Sequence, residues 1–272
     1  MTPRQRLLLI VPGLLFLVAL GAFELGRAAG QKMAERKYAA DSRADRHEVR
    51  TQDDATLMKT LLAQNLAERT FDLPGVIEAS TGKILRPFDP SDPASGTVLA
   101  AIRSAADAAL IAHNAPDSPI RGLRRINEAS RFFEDSLREK IDADPALFCT
   151  IPQTADGKER RTGYPDLRIE HIASGQVVYL DPKLFEASSR QSSLRSFYYS
   201  PRPESSKVVD DASHLLLGIS HDGVDGNWTF TGWEVIDLAR LQVRLKAEFQ
   251  ASNRDLYREN ARLAVSGSAN PK

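Results

Sequence analysis

Three residues near the middle of the chain have the types and spacing for phosphodiester chemistry: Asp166, Asp181 fourteen intervening residues later, and Lys183. Hard carboxylate oxygens a few ångströms apart repel one another. They suit Mg²⁺ or Mn²⁺, which take one or two carboxylates and fill their remaining positions with water and phosphate. A metal so held makes water a better nucleophile and offsets the charge that builds on a phosphodiester. A neighbouring lysine can orient or deprotonate that water, or stabilise the developing charge. Glu134 is a candidate third ligand. Ser193, Arg195 and Lys207 are candidates for holding phosphates, because Arg160–Lys207 carries eight Lys/Arg against five Asp/Glu. That local excess suits a DNA-facing surface and equally an ordinary loop. Phe197-Tyr198-Tyr199 could stack bases or fill a core rim.

The three residues can share a face only if two strands pair in the right register. Ala173-Ser174-Gly175 is a turn signal between the alternating stretch around Leu167 and Ile169 and the run Gln176–Leu184. If opposed residues have numbers adding to an odd total, Asp166, Asp181 and Lys183 gather on one face of the hairpin. Leu167, Ile169, Val178, Leu180 and Leu184 then take the other. An even total sends Asp166 to the wrong side. The bland alternative is a solvated hairpin face with one weak ion pair, worth about 0–1 kcal/mol.

Pro165-Asp166 followed by Asp181-Pro182-Lys183 resembles the motif of the PD-(D/E)XK, or restriction-endonuclease-like, nuclease superfamily. The resemblance spans roughly Pro119 to Asp237. It implies two adjacent motif strands, a preceding helix, here Pro119–Asp142, and a following helix and strand, here Lys207–Ser213 and His214–Ser220. It also implies metal-dependent cleavage of DNA, with Asp166, Asp181 and Lys183 as the catalytic set. Pro182 removes a ladder donor, so an edge or a bulge is expected there.

The elements that must position this site are legible in outline. Thr97 can cap an Ala-rich helix through His113, and Asp117 can cap a second, with Ile126, Phe133, Leu137 and Ile141 as its buried stripe. Beyond Ile151 the apolar period shortens to two. Asn227–Asp237 holds Trp228, Phe230 and Trp233, and strict alternation from Leu241 to Phe249 predicts a half-buried strand. The fold class is therefore α+β, with helices packed on a mostly antiparallel or mixed sheet of restriction-endonuclease-like type.

The N-terminus is of a different character. Leu7–Phe23 runs without a charge, long enough for a membrane helix or a signal segment. It reads as a single-pass anchor in a membrane such as the bacterial inner membrane, with a cleaved signal or a buried soluble helix as alternatives. Basic residues flank it on both sides, so sidedness is open. The expected organisation is residues 1–30 as anchor or signal, 31–96 as a polar helical stalk and loop, 97–262 as the α+β domain, and 263–272 as a tail. Within 272 residues, 36 Lys+Arg balance 36 Asp+Glu, which withholds the global basic signature of a nucleic-acid binder. The single Cys149 excludes an internal disulfide and a Cys-rich zinc site. No Gly-rich phosphate loop is present, so no nucleotide cofactor is expected. Two functions of different class remain: a membrane-anchored, metal-dependent nuclease, and a non-catalytic, membrane-tethered α+β protein that binds another protein of the cell envelope.

Overall fold

Aspartates start the first two helices. Asp72 accepts a hydrogen bond from the Gly75 N–H at the head of α1 (Leu73–Thr81), and Asp92 accepts from Ser95 at the head of α2 (Pro93–Asn114). Each cap satisfies an amide that has no partner within its helix, and the proline in each first turn has no donor to lose. α2 therefore begins before Thr97, the expected cap. The next helix, α3 (Ile126–Asp142), is shorter than the expected Pro119–Asp142. Residues 117–125 form turns instead, so Asp117 caps no helix. The Arg121 guanidinium secures these turns by donating to the carbonyls of Asn114 and Trp228, at 2.8 Å each.

The computed structural model describes residues 53–66, 68–194, 197–246 and 251–252. The expected membrane segment, residues 31–52 of the stalk, Arg195 and the tail lie outside them. The chain divides into two compact units at Leu66/Ala67. In the first, residues 53–63 are helical. The second holds β1 (Thr70–Asp72), β2 (Leu85–Arg86), β3 (Leu147–Thr150), β4 (Leu167–His171), β5 (Gln176–Glu186), β6 (Ala212–His221), β7 (Phe230–Asp237) and β8 (Gln242–Arg244), besides α1–α3. Residues 70–86, taken from the sequence as stalk and loop, thus contribute two strands and a helix.

The main sheet has the order β2-β6-β5-β4-β3, with β7 also on β6. β2 and β5 run parallel to β6, and the other pairings are antiparallel. β1 and β8 form a separate two-stranded ladder. The fold is α+β, built on a mixed sheet.

Two apolar clusters cover the two faces of that sheet. On one face α2 and α3 bring Val98, Ile102, Phe133 and Leu137 against Leu167, Ile169, Val178, Leu180 and Leu217. On the other, Leu73 and Ile77 of α1 join Val177, Tyr179, Val208 and Leu238. By length and composition α2 could cross a bilayer. Its apolar side is instead spent on the first cluster, which explains why an Ala-rich run occurs here.

Two expected elements differ. Lys207–Ser213 forms no helix: residues 207–211 are irregular and β6 begins at Ala212. The Tyr179 hydroxyl accepts from the amides of Val209 and Asp210, which removes donors that a helix would need. The strand expected over Leu241–Phe249 is limited, among the described residues, to Gln242–Arg244, because its partner β1 has only three residues. Leu241 and Val243 pack on the second cluster, but Leu245 is 47% exposed. Residues 247–250 lie outside the described set.

Candidate active site

The β4–β5 hairpin sets the site. Gly175 takes a positive φ of 69° and returns its N–H to the His171 carbonyl at 2.8 Å, which closes the turn between the strands. The resulting register pairs Leu167 with Leu180 and Ile169 with Val178. Opposed numbers therefore add to an odd total, and Asp166 comes opposite Asp181 one step beyond the ladder. Pairing with β4 stops at Leu180, so β5 has a local edge from Asp181 onward. The ladder to β6 continues without a shift through Pro182 and Leu217. Proline is accommodated where one side of its strand is open.

Asp166, Asp181 and Lys183 come together. Lys183 Nζ is 2.7 Å from Asp181 Oδ2 and 3.3 Å from Asp166 Oδ2. The Asp181 side chain is only 1% exposed. A solvated hairpin face is not what the chain builds here, because the Asp166 side chain too is only 11% exposed. Phe197 and Tyr199 pack around Tyr164 edge-on, at ring distances of 5.2 and 5.9 Å, and so fill a rim. Tyr198 is exposed.

Burial pushes the Asp181 carboxyl up to about 7. The negative charge of Asp166 adds to the effect, and Lys183 partly opposes it. For Lys183, burial alone would lower the pKa, but Asp181 and Asp166 outweigh it and hold the ammonium above the ordinary lysine value. Glu134, on α3, is raised by burial and then by the Asp166 charge, so it lies within the field of Asp166.

These groups fit a divalent cation. Both Asp181 oxygens are buried: Oδ2 faces the Lys183 ammonium at 2.7 Å, and Oδ1 has no hydrogen-bond partner. Buried acceptors left in this state are costly unless something else satisfies them. Among the described residues no three His, Cys, Asp or Glu side chains converge into a ready-made cage. Magnesium does not need one, because it keeps several waters and takes substrate oxygens.

The expected phosphate contacts are placed differently from one another. Ser193 is exposed in the crossover between β5 and β6. Lys207 is 1% exposed, and its ammonium donates to the Pro165 carbonyl at 2.7 Å. Sequence reasoning missed Tyr164 and His214. The Tyr164 hydroxyl lies 2.6 Å from His214 Nδ1, and burial lowers the imidazole to about 3, so it is neutral. The one sequence signal was the position of Tyr164, directly ahead of Pro165-Asp166.

The Asp181 shift has a measurable consequence for the metal-free protein. An unfolded aspartate titrates near ~3.9. Between about pH 4 and 7 the native state therefore holds more protons than the unfolded chain, and stability falls as pH rises through that window. Thermal unfolding in chelator from pH 5 to 8 should show this decline, and Asp181→Asn should flatten it. Equal slopes in both proteins would contradict the buried, carboxylate-paired environment.

A model described as the type II restriction enzyme MjaV family matches residues 66–260. The chain is also 34% identical over 143 residues to the type II restriction enzyme MjaV of Methanocaldococcus jannaschii. That stretch is 50% of this chain and 61% of the relative's length. It is consistent with the restriction-endonuclease-like resemblance drawn from the sequence. Because the family match takes in well over half of the sequence and nearly all of the second unit, the chain belongs to the type II restriction enzyme MjaV family.

Proposed function

We propose that the second unit is a metal-dependent DNA endonuclease whose site is Asp166, Asp181 and Lys183, with Glu134 beside it. The observation that carries this reading is the buried Asp181 carboxylate, one oxygen of which lacks a hydrogen-bond partner, set against a second carboxylate and a lysine at the open end of a hairpin. The relative is by its name a type II restriction enzyme, which supports DNA as the substrate.

Asp166 and Asp181 would hold magnesium or manganese, and Glu134 would reach the same ion directly or through water. Bound there, the ion supplies Lewis-acid activation of water and neutralises charge on the phosphate. Lys183 keeps its side chain partly open to solvent while pairing with both carboxylates. Its ammonium is held charged, so it donates to a phosphate oxygen or orients the attacking water and does not act as the base. Ser193 and Arg195 remain candidates for contacts to backbone phosphates.

The test is digestion of plasmid and genomic DNA by the full chain with Mg²⁺, with Mn²⁺ and with chelator. Discrete metal-dependent fragments support the reading. No cleavage, together with capture of a defined envelope protein, would favour the non-catalytic alternative. The charge-free run Leu7–Phe23 supports tethering of this nuclease to a membrane. Full-length protein should then stay in the pellet after a carbonate wash, and its release at full length would remove the anchor.

A further inference from the structure

We propose that Lys207 is a positioning residue of this site: its buried ammonium fixes the main-chain carbonyl of Pro165 and, through it, the place of the Asp166 carboxylate. The inference rests on the nuclease reading and goes beyond it, because Lys207 touches neither of the carboxylates assigned to the metal nor the open side of the site. Its Nζ donates to the Pro165 carbonyl at 2.7 Å, and the residue is 1% exposed.

A lysine rarely occupies such a place. Burying an ammonium costs free energy that a packed apolar side chain would not, unless neighbouring groups compensate. Here burial lowers the proton affinity of Lys207, while Asp166, Asp181 and Glu134 act to keep it charged. The cation therefore sits within the field of the same three acids that would face the metal. A Lys207 whose work was to hold a DNA phosphate would present its ammonium to solvent.

The segment that carries Lys207 is gripped by the two strands that carry the acids. The Tyr179 hydroxyl on β5 accepts from the amides of Val209 and Asp210, at 3.0 and 3.2 Å, and donates to Asp210 Oδ2 at 2.8 Å. Arg168 on β4 donates from Nε to the same Asp210 oxygen at 2.8 Å, from Nη2 to the other at 3.3 Å, and from Nη1 to Glu170. Tyr179 is two residues before Asp181, and Arg168 two after Asp166. From this fixed base Lys207 reaches back to Pro165, the residue ahead of Asp166, where the β4 ladder has already ended. The hydrogen bond supplies the constraint that the missing ladder cannot.

Lys207→Met keeps the length and removes both donor and charge, whereas Lys207→Arg keeps them in a different shape. Below its melting temperature, Lys207→Met should lose ~10–100-fold in kcat at saturating metal, the usual scale for a residue that orients a ligand. Its KM for DNA and the salt dependence of binding should not change, and Lys207→Arg should recover part of the loss. Hydrogen exchange over residues 160–168 should quicken in Lys207→Met while the middle of α3 stays protected. If Lys207→Met does not fold, Lys207→Gln serves for the same comparison. A raised KM with a shallower salt dependence would overturn the proposal by making Lys207 a phosphate contact. Unchanged kcat and exchange would overturn it by making Lys207 mere filling. A wild type that cuts no DNA would sink the nuclease reading alone, because the exchange experiment would still decide whether Lys207 holds the Asp166 segment.

Discussion

Asp181→Asn should lower metal-dependent DNA cleavage by at least ~10³-fold and leave the fold intact. The amide fills the same volume beside Lys183 but brings no charge, so the divalent cation loses its most enclosed ligand. Stability without metal should hold or rise above neutral pH, because the substitution removes a carboxylate that burial and Asp166 disfavour in its ionised form. Loss of activity together with unchanged or raised stability separates this site from a damaged core. Lys183→Ala should also abolish cutting yet leave metal bound, since its ammonium stabilises charge and is not a ligand. Lys183→Arg should recover little, because a broad planar fork does not replace a compact cation between two carboxylates 2.7 and 3.3 Å away. Single-turnover cleavage and thermal melts on the same preparations read both effects.

The second large effect concerns the helix behind the site. Phe133 is wholly buried on α3, with its ring 4.7 Å from Phe230 and 4.4 Å from His113. Phe133→Ala removes those contacts and leaves a cavity between α3, α2 and the sheet. Unfolding in denaturant should show a loss of about 3–5 kcal/mol. The next residue, Glu134, feels the Asp166 charge, and on the proposed reading Glu134→Gln should hardly change stability while weakening metal affinity. The opposite assignment, with Phe133→Ala tolerated and Glu134→Gln unfolding the domain, would mean that α3 presents its other face to the sheet. One helix thus separates packing from chemistry between adjacent positions, because neighbours on a helix point about 100° apart.

The parts of the site that were legible in the sequence are those set by short-range rules. The Ala-Ser-Gly turn and the period-two runs on either side fix the hairpin, and the core demand of Leu167, Ile169, Val178 and Leu180 selects the odd register. Asp166, Asp181 and Lys183 follow from that register without further information. The α3 stripe was legible for the same reason: Phe133, Leu137 and Ile141 recur at helical spacing.

What escaped depends on contacts between distant segments. β1 and β2 are three and two residues long, too short for a period to show, and exist because Gln242–Arg244 and Ala212–Ser213 offer them partners. Lys207–Ser213 reads as a helix until Tyr179, some thirty residues earlier, claims two of its amides. Lys207 reads as a surface cation until Pro165 takes its ammonium. Charge counts along a chain cannot separate a solvated lysine from one buried against a carbonyl, because the difference lies in which segment folds over it.

The central claim is that Asp166 and Asp181 together hold the divalent cation on which cleavage depends. Calorimetric titration of Mn²⁺ into the full chain and into the Asp166→Ala/Asp181→Ala double variant tests it most directly, with plasmid cleavage followed on the same samples. The account predicts saturable binding by the wild type and no measurable binding or cleavage by the double variant, which should still melt cooperatively. Undiminished Mn²⁺ affinity in that folded double variant would contradict it.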